Sequence, residues 1–144
     1  MTDTGQAFEN KFKSWHKNIH HCMCVRMPDF ANTGSSQKAL CDYIVLYNRD
    51  TKYYELKHTN SKTSFSFSNI PDHQWRNAED VYNTGNEFIF AIEDGNHNVY
   101  FVPFYDLRHY MTESILEGKK SVKFWQLEKY KKTKTEYIFE VTMK

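Results

Sequence analysis

The sequence predicts an α/β fold, a mixed β-sheet flanked by α-helices, and three observations carry that expectation. Helix-like and strand-like periodicities alternate along the chain in the order α-β-β-β-α-β-β-α. Two adjoining runs between Leu40 and Thr59 are rich in Tyr, Ile and Val and are split by a polar turn. The chain has 144 residues, 40% of them hydrophobic and 17% aromatic, enough for a sizeable core in one domain spanning residues 1–144.

Each element has its own signal. Phe8, Phe12, Trp15 and Ile19 recur at spacings of four, three and four, which predicts a helix over Gln6–His20, with Asp3 or Thr4 as its cap. A short strand follows at Cys22–Arg26, then a loop at Asn32–Ser36. Leu40–Tyr47 is nearly all apolar and reads as a strand buried on both faces. Asn48–Thr51 turns the chain into a second strand, Lys52–Thr59. Pro71, with Ser68 or Asn69 as cap, opens a helix that buries Trp75, Ala78 and Tyr82 or Val81 and stops at Gly85. Strands Glu87–Glu93 and Asn98–Val102 flank an Asp94-Gly95 turn. Pro103 opens a third helix, with Phe104, Leu107, Met111 and Ile115 inside, that ends at Gly118. A short helix over Trp125–Tyr130 and a last strand over Glu136–Val141 complete the reading.

No apolar run approaches the length of a membrane span, and Met1–Gly5 lacks the basic and apolar regions of a secretory leader. Three cysteines cannot all pair within the chain, so a reducing, cytoplasmic setting is expected. His20-His-Cys-Met-Cys24 lacks the second ligand pair of a zinc knuckle, and Cys22 and Cys24 read as small apolar groups. The net charge is only +1, yet Lys119–Lys134 holds seven lysines and one acid, a local excess of +6 over a remainder of −5. Such asymmetry fits a phosphate-binding surface, and equally a solvated lysine face.

The chemistry concentrates in the central hairpin. Asp42 begins one strand, and Glu55 and Lys57 lie two apart on the next, so they share a face while Tyr54 and Leu56 point to the other. An acid and a lysine on a central strand are costly to bury unless something compensates, and a divalent cation would. Phosphodiester hydrolysis needs such a cation to polarise the phosphate and lower the pKa of a water, and a lysine to orient that water or stabilise the pentacovalent state. Glu9 on the first helix and Gln74 one turn into the second can converge on this face. Taken alone, Asp-x12-Glu-x-Lys also describes many hairpins with paired surface charges.

Gly5-Gln-Ala-Phe-Glu9, Asp42-Tyr43, Tyr54-Glu-Leu-Lys57, Thr59-Asn-Ser-Lys-Thr-Ser-Phe65 and Asn69-Ile-Pro-Asp-His-Gln74 occur in the order and spacing of the RecU-type Holliday junction resolvases, which the chain resembles. That family lies within the PD-(D/E)xK nucleases, so the resemblance implies a restriction-endonuclease-like fold and a Mg²⁺-dependent endodeoxyribonuclease, with Mn²⁺ as a substitute. It implies catalytic residues Glu9, Asp42, Glu55, Lys57 and Gln74, and metal ligands Asp42, Glu55, the Leu56 carbonyl and Glu9. DNA contacts are expected at Lys62, Thr63, Ser64, His73, Lys119, Lys120 and Lys123. The stretch before Asp42 is compact where the family carries a stalk, Cys41 stands where the family has threonine, and the long basic N-terminal extension is missing. Tyr43, Tyr47, Tyr53 and Tyr54 are expected mostly in core or dimer contacts, and His58 in a structural role. RecU-type enzymes are dimers, and the high aromatic content fits an interface at the first helix and Phe65–Phe67. Two other readings stay open: a nuclease of this fold acting on ends, flaps or duplex, and a catalytically silent junction-binding module.

Overall fold

The computed structural model describes residues 4–28 and 39–143, so Asp3 and the Asn32–Ser36 loop lie outside the described residues. Helix α1 (Thr4–His16) is followed by strands β1 (Cys22–Arg26), β2 (Tyr43–Tyr47), β3 (Asp50–His58) and β4 (Ser64–Ser66). Then come α2 (Asp72–Asn83), β5 (Glu87–Glu93), β6 (Val99–Pro103), α3 (Phe104–Leu116), β7 (Ser121–Lys123), β8 (Lys131–Lys132) and α4 (Lys134–Thr142). Six strands form one sheet in the order β1-β2-β3-β5-β6-β8, and β4 pairs with β7 in a small second sheet. The β3–β5 pairing is parallel and the others in the large sheet are antiparallel, the mixed sheet the sequence predicts.

Alternation along the central strands divides the core into two layers. Tyr54 and Leu56 of β3, with Ile89 and Ala91 of β5, pack under α1 and α4 against Phe8, Phe12, Trp15, Tyr137 and Val141. Phe88, Phe90 and Ile92 of β5 pack on the other side with Ala78 and Val81 of α2 and Phe104 and Leu107 of α3. Glu55 lies opposite Phe90 and Lys57 opposite Ile92 in the parallel register, so both charged residues face the α2 layer.

The β2–β3 hairpin closes on Asn48 and Arg49, both with positive φ (50° and 66°), the conformation a two-residue turn of this kind needs. Gly85 and Gly118 follow α2 and α3 with φ of 87° and 75°, as stop signals should.

Several expectations are corrected. Helix α1 ends at His16 rather than His20, and Ile19 lies beyond it. β2 is fully buried on one face only: Tyr43 and Val45 are buried, whereas Ile44 is half-buried and Leu46 is 37% exposed. The cap of α2 is Pro71, not Ser68 or Asn69, because residues 67–69 form a turn of 3-10 helix of their own. Of the alternatives for its buried face, Val81 is inside and Tyr82 is exposed. In α3, Ile115 is exposed, and the buried residues are Phe104 and Leu107 in the first half of the helix. The expected strand at Glu136–Val141 is helix α4. Thr133 and Glu136 form a reciprocal capping box, and Tyr137 and Val141, four apart, bury one helical face. The Tyr137 hydroxyl lies 2.7 Å from His16 Nε2 and donates to Tyr54 at 3.3 Å, tying α4 to α1 and β3. Phe65 and Phe67 are buried in the chain's own core, which removes them as an interface.

Candidate active site

Asp42 stands one residue before the β2–β3 ladder. Its N–H donates to the Tyr54 carbonyl (3.1 Å), its own carbonyl accepts from Met27 (2.9 Å), and its Oδ2 accepts the Leu56 N–H at 2.8 Å. The carboxylate is thereby fixed over the middle of β3, in hydrogen-bonding contact with Glu55. Burial first, and then the Asp42 hydrogen bond and charge, push the Glu55 carboxyl up to about 10, opposed by Lys57. Burial likewise lowers the Lys57 ammonium, opposed by Glu55 and Asp42.

Gln74 sits in the first turn of α2, on the layer that Glu55 and Lys57 face. Its Oε1 is the one buried side-chain polar atom among the described residues without a hydrogen-bond partner. A buried amide oxygen in that state needs a donor or a cation. Among the described residues no three His, Cys, Asp or Glu side chains are gathered to hold a metal unaided. Oxygens that could contribute to a cation site here are the carboxylates of Asp42 and Glu55, the Leu56 carbonyl and the unpartnered Gln74 amide. All are hard oxygen donors of the kind Mg²⁺ takes while retaining waters.

Glu9 reaches the same end of the hairpin from α1, on the other side of the sheet. Its Oε1 accepts from Tyr43 Oη (3.1 Å) and Arg26 Nε (3.3 Å), and its charge also acts on Glu55. Arg26 is a residue the sequence reading passed over. The β1–β2 register sets it opposite Tyr43, beside Asp42, with its guanidinium largely exposed. Its signal was an arginine ending the strand that pairs with the one Asp42 begins.

Lys62 and Thr63 are exposed on the segment that leaves β3, Ser64 opens β4, and His73 is half-buried beside Gln74. Ser64 pairs with Lys123, and the Thr63 carbonyl accepts from Phe124 N–H at 2.9 Å. Gly95 N–H donates to Ser61 at 2.8 Å, and a Cβ added at Gly95 would overlap the Asn60 carbonyl, so the β5–β6 turn braces this segment. Lys119 pairs with Glu117 (3.4 Å), whereas Lys120 and Lys123 are exposed with no ion pair among the described residues. Farther on, Lys131 and Lys132 pair with Glu128 and Glu140, which divides the basic stretch. His58 turns away from Lys57 to Glu93 (2.7 Å), the buried carboxylate that also accepts from Lys11 (2.9 Å).

A stability test follows from Glu55. Its unfolded carboxyl ionises near 4.5 while the folded one holds its proton to about 10, so the native state binds the extra proton in between and stability falls as pH rises through that window. In chelator, Glu55→Gln is expected to exceed the unaltered chain in urea stability at neutral pH by on the order of 1–3 kcal/mol, the gap closing in acid. A less stable Glu55→Gln protein at neutral pH would contradict the burial argument.

The family model described as "RecU: Recombination protein U" matches residues 13–143. The Holliday junction resolvase RecU of Staphylococcus saprophyticus is 32% identical over 89 residues, which cover 61% of this chain and 43% of that protein. The chain thus matches less than half the length of this curated relative. The Holliday junction resolvase Hjc of Archaeoglobus fulgidus superposes with a TM-score of 0.49 and 15% identity, covering 72% of this chain and 75% of that one.

Proposed function

The chain belongs to the RecU family of recombination proteins, and from that premise we propose that it is a structure-specific, Mg²⁺-dependent endodeoxyribonuclease that resolves four-way DNA junctions in recombination and repair. The observation that carries the reading is the convergence of Asp42, Glu55 and Lys57 on one sheet face, under a helix that brings the unpartnered Gln74 oxygen to the same layer. Asp42, Glu55, the Leu56 carbonyl and Gln74 would hold the ion, with Glu9 at its margin. Bound there, it would neutralise the scissile phosphate and acidify a water. Mn²⁺ would substitute.

The chain's own residues do the rest. Lys57 directs its ammonium to the reacting phosphate, where it orients the attacking water and stabilises the pentacovalent state as one P–O bond forms and the other breaks. Glu9 fixes Arg26 at 3.3 Å, which sets a guanidinium at the lip of the site to meet the incoming backbone. Lys62, Thr63, Ser64, His73, Lys119, Lys120 and Lys123 contact phosphates without reading bases. A cytoplasmic setting suits a DNA-directed enzyme with three free thiols. Among the described residues no helix is long and apolar enough to cross a membrane.

Digestion of a mobile four-way junction beside linear duplex, flap and single strand, with Mg²⁺ or Mn²⁺, tests the proposal. Paired symmetric nicks confined to the junction are expected, and indiscriminate nicking of every substrate would remove the resolvase reading. Pairwise Lys→Ala changes among Lys62, Lys120 and Lys123 should weaken binding equally on all junction sequences and flatten the salt dependence by about one unit per lost contact. An unchanged slope would make these lysines a solvated surface.

The working unit is a C2 homodimer, because two symmetric nicks need two sites related as the target strands are. Edge strand β1 supplies interface material. Met23 lies opposite Leu46 and Val25 opposite Ile44, so they share one face, with Met23 59% and Val25 39% exposed. Light scattering should return about twice the 17.3 kDa chain mass, and a monomer that makes paired nicks in one binding event would refute the dimer.

A further inference from the structure

Trp125 has no part in the chemistry above, yet it is 75% exposed at the start of the turn that follows β7. The neighbouring Phe124 and Leu127 are buried, so the turn drives two apolar side chains inward and leaves the indole in water. Trp125 lines a cleft of about 670 Å³ together with Lys119, Lys120 and Lys123, with Tyr110 and Glu113 of α3, and with Glu117 just past the end of that helix. The cleft adjoins the active-site segment. Lys123 pairs with Ser64, Phe124 is bonded to Thr63, and that strand runs back to Lys57 through Lys62.

A flat aromatic face beside lysines matches single-stranded nucleic acid, whose bases offer π-faces and whose phosphates attract cations. In paired DNA the bases are stacked on one another and closed to an outside ring. At a branch point, stacking is interrupted. We propose that Trp125 is a stacking platform for an unstacked nucleobase of the branched substrate, with the flanking phosphates on Lys120 and Lys123. Glu117 already holds Lys119 at 3.4 Å, which leaves Lys120 and Lys123 as the lysines of this cleft with no ion pair among the described residues. This inference rests on the DNA-junction reading and assigns a site within it.

The test is binding in chelator, where no strand is cut, to three probes: a four-way junction, a short single-stranded oligonucleotide and a perfect duplex. Trp125→Ala should lose about tenfold in affinity for the junction and the single strand and far less for the duplex, and Trp125→Phe should retain most of the affinity. Indole emission should be quenched on binding single strand, and Trp125→Phe should abolish that quenching, because Trp15 is buried and Trp75 packs on Phe90. Both variants replace an exposed side chain, and circular dichroism verifies the fold. Equal losses on all three probes, or no loss with quenching intact, would overturn the stacking role. So would a fall in oligomeric mass in Trp125→Ala with single-strand affinity unchanged, which would assign the indole to a protein interface. If the unaltered chain shows no preference for the junction but Trp125-dependent quenching by single strand persists, the junction reading fails and the stacking site stands.

Discussion

Asp42→Asn is expected to lose strand cleavage by about 10³-fold or more while binding a four-way junction as tightly as the unaltered chain, or more tightly. The magnitude follows from the loss that removal of a single preorganised electrostatic contact already causes. The variant should fold, since an asparagine side chain can keep an acceptor for the Leu56 N–H that Oδ2 now takes at 2.8 Å. What it loses is a negative charge. On the proposed reading that charge, next to Glu55, would serve a divalent cation and repel phosphate, so its removal should weaken metal binding and relieve repulsion of DNA together. Two measurements separate these effects: junction binding in chelator, and the thermal shift on titration with Mg²⁺. The unaltered chain should be stabilised by Mg²⁺ through mass action, and the variant little or not at all. Full cleavage by Asp42→Asn would remove Asp42 from the site.

The elements that position the site were legible because each carried a local signal. The stripe of Phe8, Phe12 and Trp15, the Asn48-Arg49 turn and the Pro71 and Gly85 boundaries act over a few residues, and the structure places elements where they indicate. Alternation along β3 was enough to set Glu55 and Lys57 against Tyr54 and Leu56, and burial confirms that division of faces. What was missed depended on distant partners. Tyr137, Ile138, Phe139 and Val141 have strand-forming side chains, and β-propensity led to a strand. The Thr133–Glu136 box and the approach of Tyr137 to His16 and Tyr54 make it a helix. The two-residue β8 and the β4–β7 pair are too short for any periodicity to reveal, and only the fold brings their partners together.

The site shows the same division. The types and spacing of Asp42, Glu55 and Lys57 state what chemistry is available, and register brings them to one face. That Glu9 is committed to Arg26 and Tyr43 could not be read from spacing, because α1 and β1 meet only in the folded chain. The charge run likewise misled in part. Lys131 and Lys132 are paired with Glu128 and Glu140, an acid in the run and one beyond it, and Lys119 with Glu117; of the lysines with no ion pair among the described residues, Lys120 and Lys123 are those near the β3–β4 segment, while Lys129 and Lys134 lie farther along.

Lys57→Ala is expected to lower the cleavage rate by about 10²–10³-fold while junction affinity changes by only about threefold. The separation follows from where the ammonium sits. Lys57 is half-buried on the Glu55 face, in surroundings that disfavour its charge and are offset by Glu55 and Asp42. A cation held in that balance is poorly placed to grip DNA from solvent, and well placed to meet charge that develops on the phosphate as it becomes pentacovalent. Removing it also withdraws an attraction that favours the ionised Glu55, so the carboxyl is driven further up, and metal binding at the proposed site should weaken in step. The Glu55→Gln and Lys57→Ala changes should therefore be non-additive, the double variant cleaving scarcely more slowly than the worse single one. Lys57→Arg should recover little, because a planar guanidinium does not fit the place of a compact ammonium. Single-turnover cleavage at saturating junction, beside equilibrium binding in chelator, measures the two quantities apart. A Lys57→Ala protein whose affinity falls as far as its rate would make Lys57 a DNA-gripping residue, and one that cleaves at the full rate would leave it only a partner that balances Glu55.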